Sequence, residues 1–132
     1  MESLIKIQPD KERARSLLKL AKLRYGKITT YDVERESSLI AEGYYEVIKE
    51  QITALLFIEG YKTLSHKDLI EYLAINHKEI SASELELIDH LRKLRNNIVY
   101  YGDSIEPSYI KRNEAHIQKS IEKLRELKYG KK

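Results

Sequence analysis

Apolar residues recur along this chain at three- and four-residue steps in five separate runs, the spacing that gathers side chains on one side of a helix. Ala14, Leu17, Leu18 and Ala21, with Tyr25 beyond them, outline a first helix. Pro9 favours its start, Asp10 and Glu12 suit the positive end of its dipole, and Gly26 is its expected stop. A second, longer helix is predicted from about Tyr31 to Glu59, with Thr30 as N-cap and Gly60 after its end. Its Val33, Ser37, Ile40, Tyr44, Val47, Gln51, Leu55 and Ile58 keep a heptad-like rhythm, and Gly43 leaves room for another helix to come close. Ser65 caps a short third helix, with Leu69, Ile70 and Leu73 inward. Ser81 or Ser83 caps a fourth, which carries Glu84 and Glu86 in its first turn and closes at Gly102. Pro107 opens a fifth, with Ile110, Ile117, Ile121, Leu124 and Leu127 on one side. No run alternates with period two for long enough to argue a strand. Helices joined by short turns pack antiparallel, so the predicted fold is all-α, an up-and-down bundle of four main helices plus one short helix. Residues 1–9 read as a short, mobile N-terminal arm, 10–128 as a single bundle and 129–132 as a basic tail.

One stretch breaks the pattern. In LRKLRNNIVYYG, residues 91–102, Leu91, Leu94, Ile98 and Val99 form an apolar stripe, yet Arg95 sits inside it. Ile88, Leu91, Arg95 and Ile98 fall within about 80° around the helix axis. A guanidinium among aliphatic side chains is costly unless it is paired or faces a cleft. Two asparagines and two tyrosines follow it directly.

Composition narrows the chemistry more than it names it. With 132 residues the chain is long enough for one core, and without cysteine it has neither disulfides nor thiolate metal sites. The four histidines, His66, His77, His90 and His116, lack ligand-like spacing, so no metal and no cofactor are expected. The absence of a long apolar run and of a signal-like start predicts a soluble, cytoplasmic protein with no membrane partner. The net charge of +3 is uneven. Residues 1–30 and 111–132 each carry eight basic and three acidic side chains, whereas 31–110 carry eight basic and fifteen acidic. If the terminal helices lie side by side they form a basic face suited to RNA or an acidic partner.

No P-loop, dinucleotide fingerprint, nucleophile elbow or zinc-protease motif is present. The residues suited to a phosphate or nucleotide are Arg95, Asn96 and Asn97, a planar fork with amide donors beside it, together with Tyr101. Tyr100 and Tyr101 can stack a base, or serve an interface or half-buried core. The competing reading of Arg95 is an ion pair with Glu46 or Glu50 of the second helix. Histidines are the natural acid–base groups, but nothing in the spacing puts one beside Arg95.

The closing RNNIVYYG of the penultimate long helix, with the passage ALLFIEGYKTLSHKDLIEYL at 54–73, resembles the HEPN domains (higher eukaryotes and prokaryotes nucleotide-binding) across roughly residues 10–128. The passage at 54–73 is like that of the small archaeal and bacterial stand-alone members. The family signature is an arginine, a polar residue and then a histidine four to six residues beyond. Arg95 and Asn96 match its first half, and Tyr100 stands at the histidine position. The resemblance implies a homodimer that binds RNA or a nucleotide, partnered with a minimal nucleotidyltransferase in a toxin–antitoxin pair. Active members are metal-independent ribonucleases, so Arg95 and Tyr100 would be the catalytic pair here. A tyrosine with a reference pKa near 10 is a poor base at neutral pH, so weak or no ribonuclease activity is expected. The position of the tyrosine that partners modify with AMP in some members is Gly102 here, with Tyr101 adjacent. A non-catalytic dimeric scaffold is the remaining alternative.

Overall fold

The computed structural model describes residues 1–130 and contains five helices: α1 (Lys11–Ile28), α2 (Val33–Glu59), α3 (His66–Asn76), α4 (Ala82–Tyr101) and α5 (Pro107–Gly130). The fold is an all-α bundle of four long helices with one short one. α2 is its axis. Ile40, Ala41, Tyr44, Tyr45, Val47, Ile48, Ile52, Leu55 and Leu56 bury almost completely, and α1, α3, α4 and α5 all pack on this helix. α5 contributes Ile110, Ile117, Ile121, Leu124 and Leu127 to the same core, as its periodicity predicts.

The boundaries follow local capping chemistry. Asp10 caps α1 by accepting from the Arg13 amide at 3.0 Å. Gly26 does not end this helix. Its backbone stays helical, and the chain turns only after Ile28, where the Thr29 and Thr30 hydroxyls donate back to the carbonyls of Gly26 and Lys27. Thr30 is thereby committed to α1, and Asp32 rather than Thr30 caps α2, accepting from the Glu34 amide at 3.0 Å. α2 starts two residues later than its pattern suggests and carries a kink at Glu36. Gly60 ends it in the left-handed conformation, φ +89°. Ser81 is the cap of α4, in a reciprocal pair with Glu84, so Ser83 is not needed for that role.

Gly43 lies where α1 crosses α2. A Cβ there would stand 2.9 Å from Ile28 Cγ1, so the missing side chain permits this close approach. Residues of the N-terminal arm pair with the body of the fold. Ile5–Lys6 pairs antiparallel with Tyr61–Lys62, two short strands that no alternation in the sequence announces. The Ile7 amide donates to Gly60 O at 2.9 Å, and the Ser3 amide donates to buried Asp68 at 3.0 Å. Of the tail expected at 129–132, residues 129–130 continue α5, and 131–132 lie outside the described residues.

α1 and α5 lie on either side of a crevice of about 370 Å³ over α2, lined by Lys22, Tyr25, Gln51 and Arg125 among others. Among the described residues no helix is long and apolar enough to cross a membrane.

Candidate functional site

The capping box fixes the start of α4, and burial of Ile88 and Leu91 fixes which side of it faces α2. The next position on that side is Arg95. Its guanidinium does not enter the core. It reaches the flank of α2, where Nε donates to Glu46 Oε2 at 2.9 Å and Nη1 lies 3.4 Å from Asn96 Oδ1. One turn along α2, Lys49 Nζ meets the other carboxylate oxygen of Glu46 at 2.7 Å. Glu46 is therefore clamped by two cations from two helices, with only 11% of its side chain exposed, against 16% for Arg95. Burial works against ionisation of this carboxyl, but Lys49 and then Arg95 outweigh it and hold it below the usual carboxylate range.

A second ion pair, Arg92 with Asp89, belongs to the cluster. Arg92 lies one turn before Arg95 on the same side of α4 and donates through Nε to Asp89 Oδ1 at 2.9 Å. Lys93 meets the other oxygen of Asp89 at 3.4 Å. Burial pushes the Asp89 carboxyl up, and the neighbouring Arg92 and Lys93 bring it below its ordinary value.

His66, the first residue of α3, stands in the same field. Its ring stacks on Tyr45 with centroids 5.7 Å apart and planes 24° from parallel, and Nδ1 is 3.0 Å from the Tyr45 hydroxyl. Burial, then Lys49 and Arg95, with Arg92 adding to them, hold the imidazole below the usual histidine range against an upward pull from Glu46. The Tyr45 hydroxyl is pushed far above its ordinary value by burial and stays protonated. At neutral pH the cluster thus holds Lys49, Arg92 and Arg95 as cations, Glu46 and Asp89 as anions, and a neutral imidazole.

Lys49, Arg92, Arg95 and His66 are each partly exposed. Between α1 and α2 runs a groove of about 370 Å³ in which Glu46 is a lining residue, along with Gly43, Glu42 and Arg24. Leu20, Leu23 and Leu39 border it and are exposed. They form an apolar margin beside a charged cluster.

The residues singled out from sequence separate into two groups. Arg95, Asn96 and Glu46 are brought together. Glu50 is not a partner of Arg95. It lies about 40° further round α2, toward α1, where Arg24 donates to it through Nε and Nη2 at 2.9–3.2 Å. Asn97 projects from α4 about 160° away from Arg95, and Tyr101 about 120° away. Tyr100 is 67% exposed and Tyr101 77%, and neither touches Arg95 within one chain. His90 bonds Tyr109, and His77 is buried against Glu59, both away from this flank.

Sequence reasoning missed Lys49, Arg92 and His66. The first two were within reach of helix geometry, since Lys49 follows Glu46 by three positions and Arg92 precedes Arg95 by three. His66 is brought in by α3 folding back over Tyr45, which no spacing along the chain reports. Among the described residues no group of three or more His, Asp or Glu side chains is arranged to hold a metal ion. No family model, curated protein or solved structure matches this chain.

Proposed function

We propose that this chain is a HEPN-like bundle that binds RNA or a nucleotide by its phosphate groups at the Arg95 flank, with weak or no ribonuclease activity. The observation that carries the reading is that Lys49, Arg92 and Arg95, paired with Glu46 and Asp89, all act on His66 at one partly exposed flank. Arg95 offers a planar fork for two phosphate oxygens, Lys49 a compact point charge, and Asn96 an amide. Glu46 acts as the resident anion of the free protein, exchanged for phosphate when ligand arrives.

In this proposal the working unit is a homodimer, and the companion is a nucleotidyltransferase in a toxin–antitoxin-type pair. Exposed Val99, Tyr100 and Tyr101 at the end of α4 give a second copy or that companion an aromatic surface to cover. The test is direct titration of a labelled single-stranded RNA with wild type and Arg95→Ala, together with sedimentation of both. Loss of binding with an unchanged oligomeric state supports the reading. A shift toward monomer with RNA binding unchanged would replace it with a scaffold in which Arg95 serves the dimer.

A second reading has one observation in its favour: a histidine, His66, does stand in the field of Arg95. It keeps the metal-independent ribonuclease in view, with Arg95 and Tyr100 as the residues the family pattern assigns. Metal-free RNA cleavage that vanishes in both Arg95→Ala and Tyr100→Phe would establish it.

A further inference from the structure

His66 is held as a ligand-binding histidine is held, by one nitrogen and one face. Its Nδ1 is engaged by the Tyr45 hydroxyl at 3.0 Å, and its ring is stacked on Tyr45. That hydroxyl keeps its proton and can donate it to Nδ1, the arrangement in which the neutral imidazole carries its proton on Nε2. The ring is only half buried, so this second edge is the one left for an incoming group. Around it stand Tyr45, Glu46 and Lys49 from α2 and Arg92 and Arg95 from α4. Its own helix adds the positive end of the α3 dipole.

We infer that His66 is the fourth donor of the phosphate site, hydrogen-bonding the bound oxyanion through Nε2 and taking up a proton as the oxyanion enters. The inference deepens the phosphate-binding reading above and rests on it. In the free protein burial and three cations keep the imidazole neutral, with Glu46 opposing them. An oxyanion seated among Lys49, Arg92 and Arg95 offsets those charges and reverses the balance, so the bound state holds the proton to higher pH. By linkage, phosphate affinity rises as pH falls through the window between the bound and free pKa values, by at most about tenfold per pH unit, and levels off on either side.

The test uses the full chain with oligouridylate, whose bases and diester phosphates do not titrate near neutrality, and inorganic sulfate as a second, non-nucleic oxyanion. Proton-detected titration of the four imidazoles follows His66 directly, with His77, His90 and His116 as references. The expected result is an upward move of the His66 pKa with either probe, no move at the other three, and RNA affinity that falls with rising pH. His66→Asn keeps an acceptor for the Tyr45 hydroxyl but cannot titrate. It should bind more weakly than wild type at every pH, and its affinity should not rise as pH falls. Arg95-dependent RNA binding with an unmoved His66 overturns this inference and leaves the phosphate-binding reading standing. A His66 shift with sulfate but no RNA binding keeps the oxyanion site and removes RNA as its ligand. Neither probe moving His66 overturns the inference outright, and the wild-type titration decides this even if His66→Asn fails to fold.

Discussion

In the proposed phosphate site Glu46 would both stabilise the free protein and compete with the ligand, and Glu46→Gln separates the two roles. The carboxylate is in contact with Arg95 at 2.9 Å and Lys49 at 2.7 Å. A charge pair at such range near a protein surface carries a Coulomb attraction of about 4 kcal/mol. Desolvation of the partners and the partial exposure of Arg95 and Lys49 reduce the net contribution to about 1–2 kcal/mol. Glutamine keeps the shape and one acceptor oxygen but removes the charge. Folding stability should therefore fall by about 1–2 kcal/mol, read as an earlier urea midpoint with unchanged slope. The same interaction no longer has to be broken for a phosphate to reach Arg95 and Lys49. RNA affinity should rise by about five- to thirtyfold, the equivalent of that energy. Fluorescence anisotropy with a labelled single-stranded RNA at fixed salt measures it. Lower stability with unchanged or weaker RNA binding would refute the competition and make Glu46–Arg95 a purely structural pair.

Further expectations follow from other parts of the fold. The Glu46 carboxyl is held below its ordinary value, so its contribution to stability is complete above the unfolded-state pKa, near 4.5, and is lost as pH falls through the native value. The stability difference between wild type and Glu46→Gln should accordingly shrink as pH falls below the ordinary carboxylate range in urea titrations. Gly43→Ala gains about 1 kcal/mol of helix propensity but forces a Cβ to 2.9 Å from Ile28 Cγ1, an overpacking cost of about 1–3 kcal/mol. It should destabilise the wild-type background and not an Ile28→Ala background, as thermal unfolding of the double-mutant cycle will report. Tyr100→His installs the imidazole of the family pattern at an exposed position. It should raise RNA cleavage if a second copy brings that surface to Arg95, and leave it at background if the flank only binds.

The bundle was legible because its rules are local. Ser65, Gly60, Gly102 and Pro107 punctuate the chain as cap and stop chemistry dictates, and the apolar stripe of α5 needs no partner to be recognised. Errors arose where two local rules competed. Gly26 could have stopped α1, but burial of Ile28 against Gly43 carries the helix two residues further. Thr30 could have capped α2, but its hydroxyl is already bonded to Lys27. The site was legible only in part. Arg95 announces itself by standing in an apolar stripe, and helix geometry narrows its partner to the Glu46 side of α2. The choice between Glu46 and Glu50 depends on where α1 lies, because Arg24 draws Glu50 away. His66 depends on the packing of α3 over Tyr45, a contact between elements that periodicity does not encode.

The central claim is that Arg95 meets a phosphate, and the salt dependence of RNA binding tests it most directly. Each phosphate neutralised on a single strand adds about 0.7 to the slope of log affinity against log salt. Wild type should bind single-stranded RNA with a steep slope, and Arg95→Ala should bind more weakly with the slope reduced by about 0.7. Equal affinity and equal slope for the two proteins would contradict the claim and leave Arg95 as the partner of Glu46 alone.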